Sequence, residues 1–491
     1  MSNSTTTPRL QRRWVALAVL LVAEAMNLLD ATIMTVAAPV IRAGLGGPAS
    51  SIQWFSAAYT LPFAVFLLTG GRLGDIVGRR RVFRLGMAGF VLASLGCALA
   101  PSTAALIALR ALQGSAAALI IPQTIGMIRT MFAGPELARA MGAIGPVMGL
   151  AAVTGPVVGG ALTQADVLGS SWRSVFLVNV PLGAAVLAAT PLLSEDRAAL
   201  RPRLDHVGTV LAVLGSSLLV YPLIQGGTHG WPGWCWAMLA AGGAVLAGFA
   251  AHQRRRARNG RSPLVEPGLF VDRGFTAALV SSALFFAVVS GLMLVAVLQM
   301  QLGLHRDVLS AGFALLPWSA AMALSSWAAG AWLVPRYGAR IMGAGLLALF
   351  AGVVSAAVVY ATSPPACYPW LLLPALAVAG IGQGLYAVPF FAIALHRVRP
   401  HETGSAAGLL NAVQQLGGTL GIALLGSTFF HAAAVGDRTE GAAALTGARN
   451  AFCLAAMLIL GTAVTTTMML PRQRPSAPDP DQPLVPDATA R

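Results

Sequence analysis

Three ionisable side chains interrupt runs that are otherwise apolar: Glu24 and Asp30 in the first run, and Arg110 in a later one. An ionised group among lipid tails costs several kcal/mol unless it is paired or reaches water. A helix rising from Trp14 puts Asp30 about 24 Å along its axis, and Arg110 falls about 10 Å from the far edge of its own helix. The two share a depth, and pairing or access to a watery cavity is expected. A carboxylate beside a guanidinium ionises readily, and it regains protons when that partner withdraws. Separation of Asp30 from Arg110 would therefore couple a movement to a proton, whereas a fixed pair would be structural. Glu24 has three readings: contact with a cationic substrate, a second proton site, or a silent buried acid.

Two further groupings concern movement rather than protons. Gly71-Arg72-Leu73-Gly74-Asp75-Ile76-Val77-Gly78-Arg79-Arg80-Arg81 lies between two apolar runs. Glycines permit a tight turn and close helix approach, and Asp75 among guanidinium groups can form charge-assisted bonds. Gly71, Gly74, Asp75, Gly78, Arg79 and Arg80 are thus the residues of a conformational latch. Gly145-Pro146 and Gly155-Pro156-Val157-Val158-Gly159-Gly160 combine close packing with a permitted kink. Gln113, Gln299, Tyr386, Asn411 and Gln414 are polar groups placed to line a substrate cavity. Nearby Phe and Trp residues favour an apolar pocket over a sugar site, which needs dense hydrogen bonding.

The elements that position these groups follow from composition. The chain of 491 residues is 56% hydrophobic, only 10% charged, and has a mean hydropathy of +0.73. A soluble domain carries about 25% charged residues, so lipid must cover most of this surface. Fourteen apolar runs of spanning length predict an all-α membrane protein. Residues 1–13 form a cytoplasmic N-terminus, 14–193 a six-helix bundle, and 194–273 a linker with two inserted helices. Residues 274–470 form a second six-helix bundle, and 471–491 a disordered cytoplasmic tail. All 32 basic residues are Arg; 26 fall on one side, five on the other, and Arg110 lies within a helix. This positive-inside bias places both termini in the cytoplasm, and it explains the net charge of +15 without nucleic acid as a partner. Cys97, Cys235, Cys367 and Cys453 have no metal or redox spacing.

Internal repetition supports two matched halves. Leu73, Gly78 and Arg80 recur as Leu333, Gly338 and Arg340, and Glu136, Ala140, Gly142 and Gly155 as Glu402, Ala406, Gly408 and Gly421. Gln113-Gly114 is echoed by Gln383-Gly384. Paired six-helix halves are the architecture of alternating-access carriers, whose site lies near the midplane between them.

The 71–81 motif resembles the signature loop of the major facilitator superfamily, and Trp54, Tyr59 and Gly70 resemble its fourteen-helix drug–proton antiporter branch. Leu29-Asp30-Ala31-Thr32-Ile33-Met34-Thr35-Val36-Ala37-Ala38-Pro39 is similar to the branch pattern at the end of helix one, with Thr35 and Ala38 departing from its usual Asn and Leu. Arg110, Gln113 and Gly114 match the fourth-helix pattern. Gly155-Pro156-x-x-Gly159-Gly160 matches the fifth-helix antiporter motif, and Trp172-Arg173 with Asn179-Val180-Pro181 resembles the start of helix six. The resemblance spans roughly residues 14 to 470. It implies a monomeric, proton-driven exporter of small hydrophobic or cationic drugs and antibiotics in a bacterial cytoplasmic membrane, with no metal or organic cofactor. An importer of a polar nutrient, a membrane-embedded enzyme and a receptor without transport are the competing readings. Each fits the motifs and the repeat less well.

Overall fold

The structure, a computed structural model, describes residues 7–165, 169–195, 204–364, 370–396, 398–399, 402–434 and 439–470. No strand occurs among them. Fourteen helices are long and apolar enough to cross a membrane, which makes this a multi-pass membrane protein. They are α1 (Arg12–Leu45), α2 (Ser51–Val77), α3 (Arg79–Ala98), α4 (Thr103–Met131), α5 (Gly134–Gln164), α6 (Ser171–Leu192) and α7 (His206–Gly227). After these come α8 (Gly233–Arg258), α9 (Arg273–Gly303), α10 (Val308–Tyr337), α11 (Arg340–Thr362), α12 (Leu372–His396), α13 (Ser405–Ala432) and α14 (Glu440–Met469). Helices are forced because lipid offers backbone N–H and C=O groups no partner outside the segment itself.

Packing repeats along the chain. α1 packs on α5 and α6, α2 on α4, and α3 on α4 and α6; likewise α9 packs on α13 and α14, α10 on α12, and α11 on α12 and α14. The glycines of the sequence repeat sit at equivalent contacts. Gly114 of α4 lies against the Tyr59 backbone of α2, and Gly384 of α12 against Met322 of α10. Gly155 of α5 lies against Thr32 of α1, and Gly421 of α13 against Ala287 of α9. In each case a side chain would occupy the neighbouring helix. α7 packs on α2 and α13, while α8 packs chiefly on α7 and is mostly exposed.

The two sets of helices meet firmly at the end away from the Arg clusters. A Cβ built on Gly160 of α5 would lie 2.6 Å from the Leu309 Cα of α10, and one on Gly312 would lie 2.6 Å from the Pro156 carbonyl oxygen. Gln301 donates to the Val36 carbonyl at 2.8 Å, and Gln53 to the Ile422 carbonyl at 3.1 Å. Toward the Arg-rich end, Gly142, Gly145 and Gly149 continue the same face of α5 with nothing within 4 Å of their Cβ positions. There α10 exposes Leu324, Trp327 and Trp332.

Several boundaries differ from the sequence expectation. The signature motif was expected to lie between two apolar runs; instead α2 runs through most of it to Val77 and α3 begins at Arg79. The joint is Gly78 alone, whose φ of 116° is a conformation that side-chain-bearing residues avoid. Asp75 therefore sits inside the last turn of α2 rather than in a loop. The last helix begins at Glu440 and runs to Met469. The expected tail at 471–491 lies outside the described residues.

Replacement of Gly421 by Val should cost about 1–3 kcal/mol, since a branched side chain must enter the α9 backbone. Thermal unfolding of purified protein in detergent checks this against Leu92→Ala. Leu92 is 68% exposed, so that change should move stability by no more than about 0.5 kcal/mol.

Candidate functional site

Asp30 and Arg110 meet as expected. Arg110 Nη1 lies 2.5 Å from Asp30 Oδ2, and Arg110 and Asp30 are 1% and 2% exposed. α1 presents Asp30 because Gly155 and Gly159 let α5 press against its other side, at Leu29, Thr32 and Ile33. α4 presents Arg110 because Gly114 brings it against the α2 backbone, where Arg110 Nε donates to the Phe55 carbonyl at 3.0 Å.

Neutral groups complete the cage. Gln113 Nε2 donates to Asp30 Oδ1 at 3.0 Å, and Asn179 Nδ2 to the same oxygen at 2.8 Å. Gln113 also donates to Ser94 Oγ at 2.9 Å, and its Oε1 accepts from Arg110 at 2.7 Å. The guanidinium carbon stands 4.4 Å from the centre of the Tyr59 ring and 5.9 Å from that of Phe176. Helices α1, α2, α3, α4 and α6 all contribute. The arrangement gives the Asp30 carboxylate one cationic and two amide donors.

A second polar step lies along α1. The Tyr59 hydroxyl donates to Asn27 Oδ1 at 2.9 Å. Glu24 is 5% exposed and faces the Thr124 hydroxyl, while its Oε1 and the Asn27 Nδ2 have no hydrogen-bond partner. Glu24, Asn27 and Asp30 recur every third residue, so they climb one side of α1 over about 9 Å.

The sequence profile of the Major Facilitator Superfamily matches residues 20–207 and 203–422. The chain belongs to this superfamily. It is 45% identical, over 86% of its length and 73% of the relative's, to the "Probable actinorhodin transporter" of Streptomyces coelicolor. It is 35% identical to the "Puromycin resistance protein pur8" of Streptomyces alboniger, over 93% of this chain and 90% of that one. It is also 35% identical to the "Cephamycin export protein CmcT" of Amycolatopsis lactamdurans, over 94% of each. Among solved structures, the fold is shared with an inward-facing, unoccupied bacterial homologue of the human lysosomal transporter Spinster. That match has a TM-score of 0.67 and 16% identity, over 95% of this chain and 98% of that one. A POT family peptide transporter in an auto-inhibited state matches with a TM-score of 0.66 and 16% identity, over 94% and 98%.

In this superfamily member the signature segment is held mainly by neighbours near the cytoplasmic end of its own half, while Arg72 reaches the linker before α9. Arg79 pairs with Asp75 at 3.0 Å, and Arg80 reaches Glu195 at 3.5 Å and donates to the Leu193 carbonyl at 3.2 Å. Gly74 leaves room for the Gln123 amide, which donates to the Gly70 carbonyl at 2.8 Å, and Gly71 approaches Pro122. Of the antiporter motif, Gly155 and Gly159 face α1, Pro156 and Gly160 face α10, and Gly145 stands open; Pro146 lies one residue on, in the same open stretch of α5.

The expected cavity residues divide. Gln113 is consumed by the Asp30 cage. Tyr386 is fully buried, its hydroxyl 2.9 Å from that of Thr466 and its ring 4.4 Å from that of Phe285. Gln299 is buried with neither amide atom partnered. Asn411 and Gln414 on α13 remain half-buried. Sequence reasoning missed Asn179 as a ligand of Asp30, along with Ser94, Asn27 and Glu195. A polar amide inside the apolar α6 run was the available signal for Asn179.

Arg110→Ala leaves Asp30 buried without its cation, and breaking a buried pair costs about 3–5 kcal/mol. Adding Asp30→Asn to that variant should restore most of the lost thermal stability in detergent. A double variant as unstable as the single one would show that Arg110 supports the fold mainly through Phe55 and Tyr59.

Proposed function

We propose that this chain exports small hydrophobic or cationic antibiotics across a bacterial cytoplasmic membrane, in exchange for protons, by alternating access. The Arg-rich end is the cytoplasmic one and both termini lie there, in accord with the positive-inside rule. The protein works as a monomer without a metal or organic cofactor, and it catalyses no covalent chemistry. The names of the curated relatives, which speak of antibiotic transport, export and resistance, support the substrate class. Contact at the outer end and an open α5 face at the inner end support an inward-facing state.

The observation that carries the coupling is the caged Asp30–Arg110 pair. α1 bears Asp30 and packs on α5 through Gly155 and Gly159, and α5 packs on α10 through Pro156 and Gly160. A rearrangement at the outer seam is thereby transmitted to the helix that carries the carboxylate. Loosening α1 lengthens the contact with Arg110, and a carboxylate that loses its cation gains affinity for a proton. Return to the inward-facing cage expels that proton. Glu24, one step nearer the cytoplasm and with a free oxygen, receives it or holds the charge of a cationic substrate. Asn411 and Gln414 offer polar contacts on the facing helix.

Inside-out vesicles with an imposed proton gradient give the test, with a fluorescent lipophilic cation as probe. Wild type should accumulate the probe, Asp30→Asn should lose at least about 90% of gradient-driven uptake, and Glu24→Gln should lose less. Full uptake by Asp30→Asn would move coupling away from this site. No uptake of any lipophilic probe by wild type would point instead to a narrow metabolite carrier.

A further inference from the structure

The inserted helices α7 and α8 have no counterpart in either repeat, and the transport reading assigns them no part. α7 lies along the seam where α2 of the first half meets α13 of the second. Val220 and Ile224 pack with Ala57 and Leu61 on one side and Ala423 on the other, with Trp54, Leu416 and Leu420 at the margins.

At the cytoplasmic end the hairpin is fixed by a carboxylate hub. Asp205 caps α7 by accepting from the Gly208 N–H at 2.9 Å, but it also accepts from Gln253 at 2.8 Å and contacts His252 at 3.0 Å and Arg256 at 3.5 Å, all on α8. It is 1% exposed. Burial pushes its carboxyl up, yet the bonds from His252, Gly208 and Gln253 and the nearby Arg256 charge outweigh this and hold it below the ordinary carboxylate range. The same side chains grip the linker to α9: Gln253 Oε1 accepts from the Val265 N–H at 3.3 Å, and Arg256 donates to the Ser262 carbonyl at 3.2 Å. Arg72, within the signature motif of the first half, donates to the carbonyls of Ser262 and Pro263. Thr69 of α2 and Thr209 of α7 stand 3.1 Å apart at this level.

Attachment to the second half is different in kind. Among the described residues, α7 meets α13 through apolar side chains and the bond from Ser427 Oγ to the Leu223 carbonyl at 2.5 Å. A helical hydroxyl can return to its own i−4 carbonyl, as Thr419 and Thr428 of α13 do, so that bond breaks without leaving an orphan donor. On the first-half side, by contrast, Arg72 holds two linker carbonyls at once and Thr69 meets Thr209, so several directional bonds would have to break together. The surface that slips during rocking is therefore the apolar one.

Taking alternating access as given, we infer that the α7–α8 hairpin is a strap that covers the α2/α13 seam and rides with the first half. In this arrangement Asp205 is the positioning residue that fixes the strap to the signature motif through Arg72. The strap keeps lipid out of that seam in both states, while α13 slides beneath it.

Spin labels on cysteine-free protein test this through three pairs at the outer face. The sites are Leu99→Cys in the first half, Trp236→Cys on α8 and Leu371→Cys in the second half; these positions are 70%, 61% and 71% exposed. Acidification or a lipophilic cation should shift the 99–371 distance. The 236–371 distance should shift with it, and 236–99 should stay constant. A 236–99 distance that moves while 236–371 stays fixed would attach the strap to the second half and overturn the inference. A 99–371 distance constant under every condition would remove rocking itself, and with it the transport reading. Asp205→Asn should at least double the width of the 236–99 distribution, and Asp205→Glu should restore it. An unchanged width in Asp205→Asn would exclude the hub as the anchor.

Discussion

One carboxylate placed where water is scarce organises the first half of this molecule. An ionised Asp30 is tolerable only if its oxygens find donors, and the three donors come from two other helices, α4 and α6. Arg110 brings its own demand, met by the Phe55 carbonyl, the Gln113 amide and two aromatic faces. The close approaches at Gly114, Gly155 and Gly159 follow from these needs, because each helix must come near enough for short side chains to reach. A pair this well satisfied is stable while intact. Its contacts are also short and many, so small displacements have large effects on the charge it contains.

The second half keeps the scaffold and discards the charge. Gly384 and Gly421 make the same backbone approaches as Gly114 and Gly155. Gln383, the echo of Gln113, accepts from the Trp318 indole at 2.5 Å, and where the repeat places Arg110 there stands Gly380, pressed against the Trp318 backbone. Phe285, Tyr386 and Phe390 form an aromatic cluster in this half, with Phe285 and Tyr386 rings 4.4 Å apart. The halves are thus alike in mechanics and unlike in electrostatics, with the buried Asp30–Arg110 pair in the first.

Much of this was legible in the residues. Composition and run length fixed the helical count, since lipid leaves the backbone few choices, and depth arithmetic brought Asp30 to Arg110. Constant offsets between glycines announced the repeated helix approaches. What stayed hidden depends on rotation about helix axes. Hydropathy locates Gln113 and Tyr386 within helices but not the side they face, so both were expected in a cavity and both are enclosed in their bundles. Asn179 was visible as a polar residue, yet its donation to Asp30 depends on how α6 leans on α3 and α1. Arg79 and Arg80 were read as parts of a latch, and the partner choices of Arg72 and Arg80 emerged only once linker carbonyls and Glu195 had positions.

The single-residue joint at Gly78 has a mechanical meaning. α2 contains 27 residues and so extends about 40 Å, roughly 10 Å more than the hydrocarbon it crosses. Its final turns, with Arg72 and Asp75, project beyond the bilayer as the long arm of a lever whose fulcrum is the helix crossing at Gly114. With no slack in the connection to α3, a tilt of a few degrees near the membrane centre becomes a displacement of ångströms at the tip. The signature residues thus stand where the motion of the helices is largest, and where an ion pair can best tell one state from the other.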